Sequence, residues 1–190
     1  MKYYRIEMDW DTKGDSPWDR VWQESPEPID CLNGSLPLAA IWRSPKVWVE
    51  KGTKSPDVYG FELHFAVTER LRDLLERMVR DEAEFLPLVV PDVGVLFLIH
   101  PLWPVDFDDA AQLQRNGVSG NITVVQKYSF TLDPDAYEGP RHLFRMRQAK
   151  GSAARDAGCC RSELIVSEKV KRAAEVSGVA GIVFKYVCSA

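Results

Sequence analysis

The side chains best suited to chemistry in this sequence are three histidines and a short run of aspartates. His64, His100 and His142 lie far apart along the chain, and none belongs to an HExxH or HxE pattern. We therefore interpret each one as a structural histidine. His64 alternates with apolar neighbours, which predicts a solvent-facing position on a strand.

The aspartate run follows an apolar stretch, Val95 to Ile99, and contains Asp106, Asp108 and Asp109. Carboxylates at the end of a strand can bind a hard cation or transfer protons. A cation site, however, needs further oxygen ligands at defined spacing. Two interpretations therefore stay open for these aspartates: a solvated turn, or an acidic patch that faces a partner protein.

The remaining motifs that would indicate an enzyme are missing from the sequence. Gly117 to Gly120 lacks the lysine of a P-loop and the third glycine of a dinucleotide fingerprint, and Ser119 and Ser162 lack a G-x-S-x-G context. The four cysteines have neither zinc-site spacing nor the density of a disulfide scaffold, and we expect them to be reduced. We therefore expect no catalysis, no metal and no cofactor.

The composition is that of an ordinary globular protein. The 190 residues are 45% hydrophobic and 27% charged, which suits one domain with a substantial core. No apolar export signal follows Met1, and the longest apolar stretch, Val93 to Leu102, is too short to span a bilayer. We expect a cytoplasmic protein that does not enter a membrane.

The charges are unevenly distributed along the chain, although the net charge is only −4. Residues 61–110 are acidic and residues 111–190 are basic, an asymmetry that would steer a charged partner. A basic run in the second segment is the best case for phosphate binding, with Phe144 available to stack on a base. The sequence pI near 5.5 argues against a dedicated nucleic-acid binder. The run contains Arg141, Arg145, Arg147, Lys150, Arg155 and Arg161.

The first sixty residues are rich in tryptophan and proline, which predicts short strands and ordered loops. Tyr3 to Ile6 and Val47 to Val49 are the clearest strands in this part. Trp18 and Trp22 have two open interpretations. They either pack in the core or act as anchors in a protein interface.

Two similar modules follow in the rest of the chain. Phe61 to Phe65 alternates like a half-buried strand, and Thr68 can cap a helix with leucines on one face. Near the C-terminus, Ile165 to Val170 repeats this pattern, and Gly178 suits the end of a second helix. Capped helices before strands are common, so chance similarity is the alternative to a repeat.

Further strands are predicted between the two helices. Pro87 places the strand Phe85 to Val90 at a sheet edge or a strand start, whereas Val95 to Ile99 suits a strand buried on both faces. Ile122 to Val125, Tyr128 to Thr131 and Leu143 to Met146 are the other candidates. We predict a single α+β domain over 1–190, with a mixed or antiparallel sheet and two docked amphipathic helices from two related helix-strand modules.

The order of these motifs resembles a family of bacterial immunity proteins of polymorphic toxin systems, formerly a domain of unknown function, found in myxobacteria and other proteobacteria. The resemblance covers about 60–187, and Tyr3-Tyr4-Arg5 is similar to the family opening within the Trp/Pro-rich part, 1–60. Two departures are Phe107, where the family often has Cys, and His100-Pro101, where it usually has Asn. The motifs that support the resemblance are Val67-Thr68-Glu69-Arg70-Leu71, Glu84-Phe85-Leu86-Pro87, Leu96-Phe97-Leu98-Ile99-His100, Val105-Asp106-Phe107-Asp108-Asp109, His142-Leu143-Phe144-Arg145, Ile165-Val166-Ser167-Glu168-Lys169-Val170, Gly178-Val179-Ala180-Gly181-Ile182 and Phe184.

The resemblance implies an immunity protein that binds a cognate secreted toxin and neutralises it by occlusion, with no cofactor. We expect toxin contacts at Asp106, Asp108 and Asp109, with Trp18 and Trp22 as anchors, because an acidic surface would complement a basic nuclease-like toxin. The oligomeric state and the toxin's activity stay open. The alternative function is a small-ligand or nucleic-acid-binding regulatory module that uses the basic C-terminal segment.

Overall fold

The computed structural model describes residues 1–9, 18–24, 36–52, 54–61, 64–107, 111–115, 122–132, 140–147 and 163–189. They form an α+β domain with two main sheets, a separate β9–β10 hairpin and two helices. The strands are β1 Lys2–Met8, β2 Arg20–Gln23, β3 Val47–Glu50, β4 Val58–Phe61, β5 His64–Val67, β6 Ala83–Val90, β7 Gly94–Pro101, β8 Pro104–Asp106, β9 Gln112–Arg115, β10 Ile122–Lys127, β11 Leu143–Arg147, β12 Leu164–Ser167 and β13 Ile182–Ser189, and the helices are α1 Glu69–Val79 and α2 Glu168–Val176.

The first module is a β5-α1-β6 unit whose two strands are parallel but not adjacent. Thr68 precedes the helix in an extended conformation, and Glu69 lies in the first turn, where the helix dipole favours an acid. Leu71 and Leu75 are buried, as their spacing predicts. β7 lies between β5 and β6 and pairs antiparallel with both.

The second module, β12-α2-β13, has the same form. The Ser167 hydroxyl accepts a hydrogen bond from the Val170 amide and caps α2. The helix ends in a Schellman motif at Gly178, whose φ is +64°. β1 lies between β12 and β13 and pairs antiparallel with both. The two-module repeat predicted from the sequence is therefore confirmed.

The equivalence extends to five strands in each half. The first sheet contains the order β2-β4-β5-β7-β6, and the second has β8-β11-β12-β1-β13. In both, the first pair is parallel and the other three pairs are antiparallel. β1, at the N-terminal end of the described chain, takes the place in the second half that β7 takes in the first. β3 is an additional strand beside β2.

Three apolar clusters hold the sheets and helices together. The central cluster contains residues of both sheets and both helices, including Ile6, Leu71, Ile99 and Val170. A second cluster lies on the other face of the first sheet, and a third joins Tyr3 of β1 to aromatic residues such as Phe144. Each fully buried large apolar side chain stabilises the fold by about 1.5–3 kcal/mol.

Asp57, just before β4, joins the two modules. Its carboxylate accepts hydrogen bonds from the Arg70 guanidinium, at 2.5 and 3.1 Å, and from the Ala180 amide at 3.0 Å. Its backbone amide donates to the Ala180 carbonyl at 3.1 Å. Beside this joint, Gly181 has a φ of +94°, and a Cβ there would lie 2.5 Å from Pro56 Cβ. The contact between the modules therefore needs glycine at this position.

The outer edge of β6 is covered by residues 36–44, which we call the edge segment. Trp42 Nε1 donates to the Pro87 carbonyl at 2.7 Å, and the Val89 amide donates to Ser44 Oγ at 3.0 Å. Both pairs are separated by 45 residues, so the edge segment runs parallel to β6. The edge position predicted for Pro87 is confirmed, because β6 is the last strand of its sheet.

Two strand predictions were wrong. The Phe61–Phe65 pattern spans two strands, because β4 ends at Phe61 and β5 begins at His64, which pair across a hairpin. Tyr128 to Thr131 forms no ladder: Tyr128 and Phe130 instead pack on the third cluster, so their apolar alternation reflects burial without strand pairing. Within the described ranges, no helix has the length and apolar character needed to cross a membrane.

Candidate functional site

Glu82 and Asp19 are the two most deeply buried carboxylates among the described residues, each at 3% exposure, and Glu82 lies closest to the histidines. It lies just before β6, and its oxygens accept hydrogen bonds from the His142 and Leu143 amides at 2.6–3.0 Å. Burial raises the Glu82 pKa to about 7, against the opposing effects of these amides and of Arg141 and Lys169. Glu82 thus links the first half to the chain entering β11.

Ser167 and His142 lie close together beside Glu82, and a serine next to a histidine can act as a nucleophile. His142 Nδ1 lies 2.9 Å from Ser167 Oγ. Ser167, however, is fully buried and caps α2. The Glu82 carboxylate bonds the backbone amide of His142, so it does not orient the imidazole as the acid of a triad does. This pair stabilises the start of α2.

The other two histidines are interior. His64 is 7% exposed, so the prediction of a solvent-facing His64 was wrong. The side chain does alternate with its apolar neighbours, but the face of the sheet to which it points is also covered. Burial, with the nearby Arg145 and His100, lowers the His64 pKa to about 3, and Arg145 Nη2 lies 3.4 Å from His64 Nδ1. His100 is completely buried, with Nε2 at 2.9 Å from the Leu36 carbonyl. In the described ranges, no cluster of potential ligands could hold a metal ion.

The basic run divides between the interior and positions outside the described residues. Arg141 is 6% exposed, with its guanidinium carbon 4.5 Å from the centre of the Trp103 ring, and Arg145 is 8% exposed. Neither is placed to bind a phosphate in solution. Lys150, Arg155 and Arg161 lie outside the described residues, and Arg147 is described only by its backbone in β11.

The aspartate run is only partly described. Asp106 is half-buried at the end of β8, opposite Arg147 in the parallel ladder with β11. Asp108 and Asp109 lie outside the described residues. Two other acids of 61–110 face inward or onto the edge segment: Glu82, and Glu84, which accepts from the Leu38 amide at 2.6 Å. The acidic count of this segment therefore overstates the charge that it presents to solvent.

Trp22 on β2 and Trp48 on β3 form an outward-facing pair, and Trp18 lies just before β2. Trp22 and Trp48 are direct cross-strand partners, and their rings stack with centroids 6.3 Å apart and planes 25° apart. Trp48 is 47% exposed, and Trp22 Nε1 donates to Glu50 at 2.9 Å. Trp18 is half-buried, with the Lys54 ammonium 5.3 Å from its ring centre. We call Trp18, Trp22 and Trp48 the tryptophan face.

The strand pattern explains why these rings point outward. Val21, Val47 and Val49 pack in the second apolar cluster, so the residues that alternate with them, Trp22 and Trp48, point away from it. Trp48 was not among the predicted contacts, although the Val47-Trp48-Val49 alternation was the signal that could have identified it. The core-packing interpretation is wrong for Trp22, which lies outside all three buried clusters.

Charged residues of opposite sign border the tryptophan pair. Arg20 is the cross-strand partner of Glu50, and the Glu24 amide donates to the Lys46 carbonyl at 2.9 Å. The face therefore has an apolar centre and a rim of mixed charge, which is the arrangement found in protein interfaces. Comparisons with protein-family models and with curated proteins found no match to this chain.

Proposed function

We propose that this chain is a cytoplasmic immunity protein that binds a cognate secreted toxin through the tryptophan face and neutralises it by occlusion. The observation that supports this proposal best is the stacked pair of Trp22 and Trp48 on an outward sheet face. Tryptophan is enriched among the residues that dominate binding energy in interfaces. The resemblance of the motif order to toxin-immunity proteins supplies the class of partner.

The tryptophan pair suits an anchor because it is held in place before binding. The stacking contact and the Trp22 Nε1 bond to Glu50 restrict both rings, so less conformational entropy is lost when a partner covers them. β2 and β3 also belong to a sheet whose other face is buried, and this burial keeps the two tryptophans on the outward face. A rigid aromatic pair of this kind inserts into an apolar cleft of the toxin and excludes its substrate.

The experiment is co-expression with the toxin domain encoded by the neighbouring gene, followed by survival and co-purification. We expect rescue and a stable complex with the unaltered chain. The double variant Trp22→Ala and Trp48→Ala loses about 2 kcal/mol or more of binding free energy, which is about 30-fold in Kd. The matched control is Val176→Ala, which removes an apolar side chain that is 89% exposed on α2.

Three results would contradict the proposal in different ways. Rescue without a complex indicates that the chain reverses the toxin's damage enzymatically. A complex unaffected by the double variant removes the tryptophan face from the interface. Salt-dependent binding of single-stranded RNA that is lost in the double variant makes nucleic acid the partner of this face, since bases also stack on aromatic rings. Circular dichroism of each variant confirms that the fold is retained.

A further inference from the structure

β13 is the last strand of the second sheet and has only β1 as a neighbour among the described residues. From Tyr4–Tyr186 to Met8–Ile182 its pairing with β1 is regular, and a bulge interrupts the register only beyond Tyr186. The opposite edge of this regular stretch therefore carries backbone N–H and C=O groups that point away from β1. Such an edge can pair with another extended chain.

The equivalent edge in the first half is already covered by the edge segment, which includes a turn at 39–41. β6 occupies the place of β13 in the repeated strand order, and the edge segment runs along it. Pro87 has no N–H, so this contact is made by the side chains of Trp42 and Ser44. β13 contains no proline, and its backbone can form a full ladder.

We propose that the outer edge of β13 binds an extended segment of a partner protein, added to the sheet as a sixth strand, with an acidic residue opposite Lys185. This inference goes beyond the proposed function, because it uses neither the tryptophan face nor a toxin. It assigns a second interaction surface on the half of the fold that lacks an edge segment in its described residues.

The side chains of β13 determine the chemistry of the added strand. Phe184 packs against the central cluster, and Tyr186, 60% exposed, makes an edge-on contact with the Tyr4 ring at 5.9 Å. Lys185 alternates with them, points to the other face, and is the only charged residue of the strand. A partner segment that alternates apolar and acidic residues therefore matches both faces, since opposite charges on neighbouring strands are stabilising.

A second copy of this chain fits the same edge less well. Antiparallel pairing of two β13 strands about a two-fold axis normal to the sheet centres on one pair of identical residues near the middle of the strand, Lys185 or Tyr186. The two lysine ammonium groups would then occupy neighbouring positions, and like charges on adjacent strands are destabilising. The charge of the edge thus favours a different protein.

The first test is hydrogen exchange on the chain alone, with its mass in solution measured by light scattering. We expect a monomer in which outward amides of Ile182 to Tyr186 exchange rapidly while those bonded to β1 are protected. Uniform protection in a monomer would show that the chain covers this edge itself. Uniform protection in a dimer would show that a second copy covers it. Either result overturns the proposal.

The second test supplies the strand. An Asn-Gly turn and a short strand of alternating valine and glutamate are appended after Ala190, with one glutamate opposite Lys185. The matched control has lysine in place of each glutamate. We expect the acidic strand to slow exchange of the outward β13 amides about tenfold and to raise Tm, and the basic strand to do neither. No slowing with the acidic strand, or equal slowing with both, overturns the proposal.

Discussion

The buried carboxylate of Glu82 leads to a quantitative prediction about pH. Its pKa is raised from 4.5 to about 7 in the folded chain, mainly by burial, so the folded state binds a proton that the unfolded state releases between these values. Folding stability contributed by this group therefore falls as pH rises from 4.5 through 7. A shift of this size corresponds to about 3 kcal/mol. Glu82→Gln, which stays neutral, removes this pH dependence.

The assay is urea unfolding of both proteins from pH 4.5 to 8, followed by tryptophan fluorescence. Subtracting the variant's free energy of unfolding from that of the unaltered chain cancels the contributions of the other titrating groups. We expect this difference to fall by about 3 kcal/mol across the range. A difference that rises with pH would refute the reasoning, because it would mean that the amide bonds from His142 and Leu143 outweigh burial.

Three further predictions concern His64 and the joint between the modules. Because the pKa of His64 is lowered from 6.5 to about 3, its contribution to stability is present above pH 6.5 and is lost as pH falls toward 3; His64→Gln flattens that loss in urea titrations. Gly181→Ala destabilises the fold by about 3 kcal/mol, since a Cβ would meet Pro56, whereas Gly178→Ala, with no atom within 4 Å, destabilises it by about 1 kcal/mol; equal losses in calorimetry would contradict this. Asp57→Ala costs about 2–3 kcal/mol, measured by the same unfolding titration, and an unchanged midpoint would show that solvent replaces its bonds.

The helices could be predicted from the sequence because their signals are local. Of the two predicted capping side chains, Ser167 caps its helix, whereas the Thr68 hydroxyl donates to Asp57 and makes no cap bond. Leu71 and Leu75 have helical spacing, Thr68 and Ser167 precede the first turns, and Gly178 ends α2 with a positive φ. These features depend on residues a few positions apart. The second half could not be predicted in the same way, because β1 joins it from the other end of the sequence.

The candidate site was predicted only in part for a related reason. Trp22 was named as a candidate anchor and lies on an outward sheet face, but Trp48 becomes its partner only through the β2–β3 register. The acidic count of residues 61–110 was a poor guide to surface charge, since Glu82 is used inside the fold. Local periodicity indicates which face of a strand is buried, whereas register between strands decides which side chains meet.

The position of β1 also has a consequence for the order of folding during synthesis. The first half, from β2 to β7, is contiguous in sequence and can form while the chain is still being made. β1 leaves the ribosome before the strands of the first half do. Its two neighbours, β12 and β13, are synthesised after all the other strands. The second half therefore depends on closing a loop that spans almost the whole chain, a contact order that slows folding. Two halves with the same architecture are thus expected to fold at different times and at different rates.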